Sequence, residues 1–180
     1  MEQKYDFIEV TLDADNYDMI KEVYRLHKEQ ANKLFDITSK ISTDEDIMKL
    51  IKDRIEYCTV LLVYDNEGKR YAGCFTFENI IVHNDTIIKM EVHPVIAKKY
   101  WGKQSREIIE ACYKFMEENW YPINRIEAFV PSHNFGVIKL LKDVGFTIEG
   151  TLTNRLIYKD KNGNEKYYNQ LVYSDINRRK

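Results

Sequence analysis

The stretch that decides the fold runs from Met90 to Gly150: MEVHPVIAKKYWGKQSREIIEACYKFMEENWYPINRIEAFVPSHNFGVIKLLKDVGFTIEG. It reads as a strand that stops at His93-Pro94, a basic-aromatic loop from Ala97 to Ser105, and an amphipathic helix. The short strand Arg125 to Val130 follows, and then a second helix that starts at Asn134 and ends at Gly145-Phe146. A broken strand, a glycine-bearing loop and a helix start together make a ready site for a pyrophosphate. The first helical N–H groups have no partners inside the helix, and the helix dipole is positive there. The Asn134 helix stands at the right distance to form the other wall.

Outward from this stretch the periodicities give the remaining elements. Tyr5 to Leu12 carries β-compatible residues, and Asp13 to Asn16 is a polar break able to cap a helix. Ile20, Val23, Tyr24, Leu26, Ala31, Leu34 and Phe35 then recur at helical spacing. Ser42-Thr43-Asp44 offers an N-cap to a helix with Ile47, Leu50, Ile51 and Ile55 on one face. Thr59 to Tyr64 and RYAGCFTFENI flank the turn DNEG as a hairpin, and TIIKMEV follows Asn84-Asp85. FTIEGTLTNRLIY and KYYNQLVYS flank DKNGNE as a second, long hairpin. The order β-α-α-β-β-β-α-β-α-β-β implies an α/β (α+β) fold. It would be a mixed, mostly antiparallel sheet of about seven strands with helices on both faces.

Composition narrows the class. The chain has 180 residues, 44% of them hydrophobic, enough for one well-buried core and too few for two comfortable domains. A net charge of -2 gives no bulk attraction to nucleic acid or anionic membrane, and the basic run Arg178-Arg179-Lys180 reads as a solvated tail. Cys58, Cys74 and Cys112 are scattered, without a C-x-x-C pair or a His at ligand spacing, which points to reduced thiols and no metal. No signal peptide is legible, and no apolar run reaches the roughly 20 residues that span a bilayer. The expectation is a soluble, cytoplasmic, single-domain protein without nucleic-acid or membrane partners; a homodimer stays open.

The residues of the central stretch resemble the GNAT superfamily of acyl-CoA N-acyltransferases. In that family a loop of pattern Q/R-x-x-G-x-G/A binds the pyrophosphate. Lys99, Gly102 and Gln104 fall on it in one register. A shifted register, with Trp101 at the basic position, looks like the YWGKG loop of ribosomal-protein and small-molecule N-acetyltransferases. In either register one small residue is lost, and Gln104 places bulk where the backbone closes on phosphate. A second motif fits through Asn134, Val137, Leu140, Gly145 and Phe146, followed by Ile148-Glu149-Gly150. The resemblance covers Thr86 to Ile176 by motif and the N-terminal part by element order. It implies one GNAT-like domain with an acceptor side over 1–85, a cofactor-binding core over 86–150 and a C-terminal hairpin over 151–180.

What it implies for chemistry is specific. Acetyl-CoA would be the co-substrate, without a metal, and a small-molecule amine or a peptide N-terminus the acceptor. Lys99, Trp101, Gly102, Lys103, Gln104, Ser105 and Arg106 would surround the pyrophosphate, and a backbone N–H near Val92 would polarise the acyl oxygen. Asn134 would bond the pantetheine arm or cap its own helix, two roles that stay open. The proton from the amine needs a base, and Glu91 and His93 share one face of a strand. The family's tyrosine acid is replaced by Leu141; Tyr100, Tyr158, Tyr167 and Tyr168 are the alternatives. Two functions follow. One is N-acetyl transfer from acetyl-CoA to a primary amine. The other is a catalytically inactive GNAT-fold binding or structural protein, such as a phage assembly or virion-associated component.

Overall fold

The computed structural model describes residues 3–34, 41, 43–159, 162 and 164–176. Phe35, Ser42, Asp160, Lys161, Gly163 and the Arg178-Arg179-Lys180 run, each part of the reading above, lie outside the described residues. Seven strands form one sheet in the order β1-β2-β3-β4-β5-β7-β6. They are β1 (Tyr5–Glu9), β2 (Thr59–Asp65), β3 (Arg70–His83), β4 (Thr86–Ile96), β5 (Arg125–Pro131), β6 (Thr147–Lys159) and β7 (Glu165–Ile176). The helices are α1 (Tyr17–Leu34), α2 (Asp44–Tyr57), α3 (Lys103–Asn119) and α4 (Phe135–Asp143). The sheet is mixed, and β4 with β5 is its parallel pair.

Local chemistry sets the element ends. Thr43 caps α2 in a capping box: its hydroxyl accepts from Asp46 N–H at 3.1 Å, and Asp46 Oδ2 accepts from Thr43 N–H at 2.8 Å. Asn84 and Asp85, with φ of 46° and 52°, make the tight turn that pairs His83 with Thr86. Gly145, at φ 99°, closes α4, where Phe146 N–H donates to the Leu141 carbonyl at 2.9 Å.

Register decides which face each side chain meets. Phe7 packs on Phe115 of α3, and Phe77 meets Trp120 just beyond it. Glu78, one residue on, meets Arg54 of α2 on the opposite face. Thus α1 and α2 cover one face, and α3 with α4 the other.

One expectation is corrected. Strand β4 does not stop at His93-Pro94 but continues to Ile96, paired with β3 through Phe75↔Pro94 and Gly73↔Ile96. Proline is tolerated because β4 has lost its other partner by then. Pairing with β5 ends at Glu91↔Glu127, so Pro94 sits where the strand is bonded on one side alone.

The loop after β4 is anchored from below. Tyr100, 1% exposed, donates its hydroxyl to Asp65 Oδ2 at 2.6 Å. Burial pushes the Asp65 carboxyl up, but the Tyr100 hydroxyl and the N–H groups of Gly68 and Glu67 outweigh it and hold the group below its ordinary value. Tyr100→Phe is expected to cost about 1–3 kcal/mol in urea unfolding at pH 7, the range for removing one partner of a buried charged acceptor. Because Asp65 is depressed when folded, this contribution is present above its unfolded pKa and fades as pH falls through the folded one. The gap between variant and parent should therefore shrink in acid.

Candidate functional site

Beyond Glu91 and Glu127 each strand keeps its outer partner and loses the inner one. β4 stays on β3 to Ile96, and β5 stays on β7 to Pro131↔Gln170. The opened V continues into a cleft of about 450 Å³. Pro94 and Ile96 form its β4 wall, Ile109, Leu140 and Leu141 its apolar depth, and Trp101, Gly102 and Ser105 its mouth on the α3 side. His133, Asn134 and Phe135 form the opposite rim. Val92 is 4% exposed and shares the face of Pro94 and Ile96.

The mouth is the open start of α3. Gly102 precedes α3 with φ 89° and ψ -131°, and no side chain caps the helix. The first turn of α3 carries no acid. Ser105 Oγ donates to the Gly102 carbonyl at 2.7 Å, and Trp101 Nε1 donates to the Ile96 carbonyl at 2.9 Å, folding the loop over the strand end. Space is open where a Cβ on Gly102 would lie. Gln104 is exposed and absent from the cleft lining, so its bulk does not fill the mouth.

The cations named from the sequence stand around this mouth rather than in it. Lys103 is 90% exposed, and Arg106 is bonded to Glu110, one turn along α3, at 2.8 Å. Lys99 lies over the Tyr100 ring and lines a second cleft with Arg70, Lys69 and Lys98. Asn134 is the N-cap of α4, accepting from Val137 N–H at 3.5 Å, and it lines the cleft as well.

Glu91 and His93 lie on the opposite face of β4, under α1 and α2. His93 Nε2 is 3.6 Å from Glu78 Oε2 and 3.9 Å from Glu91 Oε2, and has no hydrogen-bond partner among the described residues. Asn79, held at φ 52° where the β3 register shifts, donates to Glu91 Oε1 at 2.8 Å. Burial holds the His93 imidazole below its ordinary pKa despite the two carboxylates, with Arg54 adding to the effect. Farther along this face Glu127 is paired with Lys89 at 2.8 Å and with Arg125 at 2.6 Å, and Glu149 with Arg125. Glu91, by contrast, is held by the neutral side-chain amide of Asn79.

The tyrosine alternatives separate. Tyr100 is committed to Asp65, and Tyr167 is 57% exposed. Tyr158 and Tyr168 pack on His133 at the cleft rim, with ring centroids 4.7 Å and 4.1 Å away. Leu141, 2% exposed, puts an apolar wall where the resemblance places a hydroxyl. The sequence reading did not reach Gln30, whose Nε2 donates to the Ile96 carbonyl at 2.8 Å across a separation of 66 residues, nor Glu78 and Arg54. Each depends on a tertiary contact between distant segments, which leaves no local signal.

Among the described residues no helix is long and apolar enough to cross a membrane, and no cluster of potential metal ligands occurs. No curated protein matches the sequence. Three solved structures share the architecture at low identity. The ribosomal-protein-S5-alanine acetyltransferase from Vibrio fischeri aligns at TM-score 0.69 and 18% identity, covering 99% of this chain and 96% of its own. The acetyltransferase from Salmonella typhimurium that modifies the N-terminal serine of ribosomal protein L7/L12 aligns at 0.71 and 14%, covering 97% and 96%. Spermidine N-acetyltransferase from Vibrio cholerae, solved in complex with CoA and spermine, aligns at 0.63 and 16%, covering 97% and 96%. The Acetyltransferase (GNAT) domain family matches residues 12–169. With that match spanning nearly the whole chain, and with the strand splay and the helix start in place, this protein belongs to the GNAT acetyltransferase family.

Proposed function

We propose that the protein transfers an acetyl group from acetyl-CoA to a primary amine of a small molecule or peptide. The observation that carries this reading is the parting of β4 from β5 after Glu91 and Glu127, with the uncapped, acid-free start of α3 at its mouth. The β4 edge beyond Glu91 offers backbone groups of Val92 and Pro94 to the amides of a pantetheine arm, as an added strand would, while the Ile96 carbonyl is already taken by Gln30 and Trp101. The α3 N–H groups around Gly102, Lys103 and Ser105 receive the pyrophosphate, and the cleft's apolar depth excludes water from the thioester. When bound, acetyl-CoA supplies the activated acyl carbon.

The chain's own residues handle the amine and its protons. The acceptor ammonium approaches from the α1/α2 side, drawn by the Glu91 carboxylate, and gives one proton to the neutral imidazole of His93. The freed lone pair forms the N–C bond to the acyl carbon as the C–S bond breaks, with the Val92 N–H turned to the acyl oxygen. A second proton leaves the nitrogen and neutralises the departing thiolate, and His93 returns its proton to solvent. An ammonium and a thioester thus become an amide, a thiol and one released proton. No side-chain acid is required, consistent with Leu141 in place of a tyrosine.

The neighbours are named for spermidine, for alanine of ribosomal protein S5 and for the N-terminal serine of L7/L12, so both small-amine and peptide acceptors belong in the test. Acetyl-CoA at 100 times its Kd is expected to stabilise the native state by about 2.7 kcal/mol, read as a thermal shift, with desulfo-CoA acting similarly. Thiol release is then followed with spermidine and with alanine- and serine-initiated peptides. Absence of any shift at millimolar acetyl-CoA would end this reading in favour of a GNAT fold without catalysis.

A further inference from the structure

We infer that Arg54 is a positioning residue for the base: through Glu78 it fixes the His93 imidazole so that Nε2 carries the hydrogen and Nδ1 meets the acceptor amine. This deepens the amine-transfer reading and rests on it. The geometry is a chain of contacts through four elements. On α1, His27 is 1% exposed and its Nδ1 lies 2.9 Å from the Val23 carbonyl, so that nitrogen carries the ring hydrogen and Nε2 is an acceptor. Arg54 on α2 reaches this Nε2 at 3.4 Å and sets its own Nε 3.1 Å from Glu78 Oε1 on β3. The other Glu78 oxygen is the carboxylate oxygen nearer to His93 Nε2 on β4, at 3.6 Å against 3.9 Å for Glu91.

His93 Nε2 is enclosed, yet the side chain keeps 27% exposure, so the accessible part of the ring lies away from the carboxylates. Two anions beside an enclosed nitrogen favour the tautomer with hydrogen there, leaving the lone pair on Nδ1. A carboxylate held by a guanidinium thus stands 3.6 Å from the enclosed nitrogen, beyond hydrogen-bond length but close enough for its charge to bias which ring nitrogen carries the hydrogen. Arg54 also opposes protonation of the ring, whereas Glu78 and Glu91 favour it. Among the described residues the charged or titratable groups facing His93 are therefore Glu91 on its own strand, Glu78 from β3, Arg54 from α2, and behind it His27 from α1; Cys58, at the end of α2, lies near Glu78 and Arg54.

The opposite signs of Arg54 and Glu78 give a test that a merely structural role would not pass. The His93 Cε1–H resonance is assigned by its loss in His93→Gln and titrated by NMR in the parent, Arg54→Met and Glu78→Gln. Arg54→Met should move the midpoint up and Glu78→Gln down, each by about one unit, with the acidic limb of kcat/KM moving in parallel. Arg54→Lys should restore most of the parental midpoint and less of the rate, because an ammonium replaces the charge but not the two-ended reach. Midpoints that stay at the parental value, or shift in the same direction in both variants, overturn the proposal. Should Arg54→Met fail to fold, Arg54→Gln, which keeps a polar head near Glu78 without the charge, is titrated in its place with the same upward shift expected. If the parent acetylates no amine, the amine-transfer reading fails on its own, while the NMR midpoints still decide what Arg54 does to His93.

Discussion

Gly102→Glu is expected to abolish acetyl-CoA binding, raising Kd beyond the millimolar range while the protein remains folded. Two separate effects act there. The backbone at φ 89° and ψ -131° is one that a residue with a Cβ adopts only at a cost of about 1–3 kcal/mol. The carboxylate then enters the open space in front of an uncapped helix, where it satisfies the dipole internally and repels the diphosphate. Gly102→Ala separates the two, since it shares the strain without the charge. It should weaken binding about tenfold, equivalent to about 1.4 kcal/mol. Calorimetry on both variants, with circular dichroism to confirm the fold, measures the difference. Undiminished binding by Gly102→Glu would show that the α3 loop does not hold the pyrophosphate.

His93→Gln should lower kcat/KM by about 10²- to 10⁴-fold, the usual contribution of a general base, and leave the Kd of acetyl-CoA unchanged. The split between turnover and affinity follows from register. His93 lies on the α1/α2 face of β4, whereas Pro94 and Ile96, its neighbours in the cleft wall, face α3. Burial holds the imidazole below its ordinary pKa, so the parental rate should rise through that lowered value and be level by neutral pH. Glu91→Gln keeps the bond to Asn79 and removes only charge, so its effect should be smaller and fall mainly on KM for the amine. A His93 variant that turns over at the parental rate would remove this residue from the chemistry.

Much of the fold was legible because its signals are local. The capping box at Thr43, the Asn84-Asp85 turn and the left-handed Gly145 each act within a few residues, and each is where the pattern placed it. A proline after a histidine looks like a stop, so the sequence alone predicts a β4 shorter than the observed Thr86–Ile96. Whether a proline ends a strand depends on the partner it would have bonded, and here that partner had already turned away.

The site divides along the same line. Residue types and spacing placed a glycine-led helix start, a helix beginning at Asn134 and a strand bearing Glu91 and His93 in an order that resembles the GNAT pattern, with the role of Asn134 open between cap and cofactor contact; the structure shows the cap. Only the tertiary structure decided which of them converge. It turned Lys99 toward a second cleft, bonded Arg106 to Glu110 and left Gln104 in solvent. It also brought Gln30, Glu78 and Arg54 to β4 from other elements. Caps, turns and periodicity are properties of a few consecutive residues. The surroundings of a carboxylate or an imidazole are set by sheet register and helix packing, which bring together residues far apart in the chain.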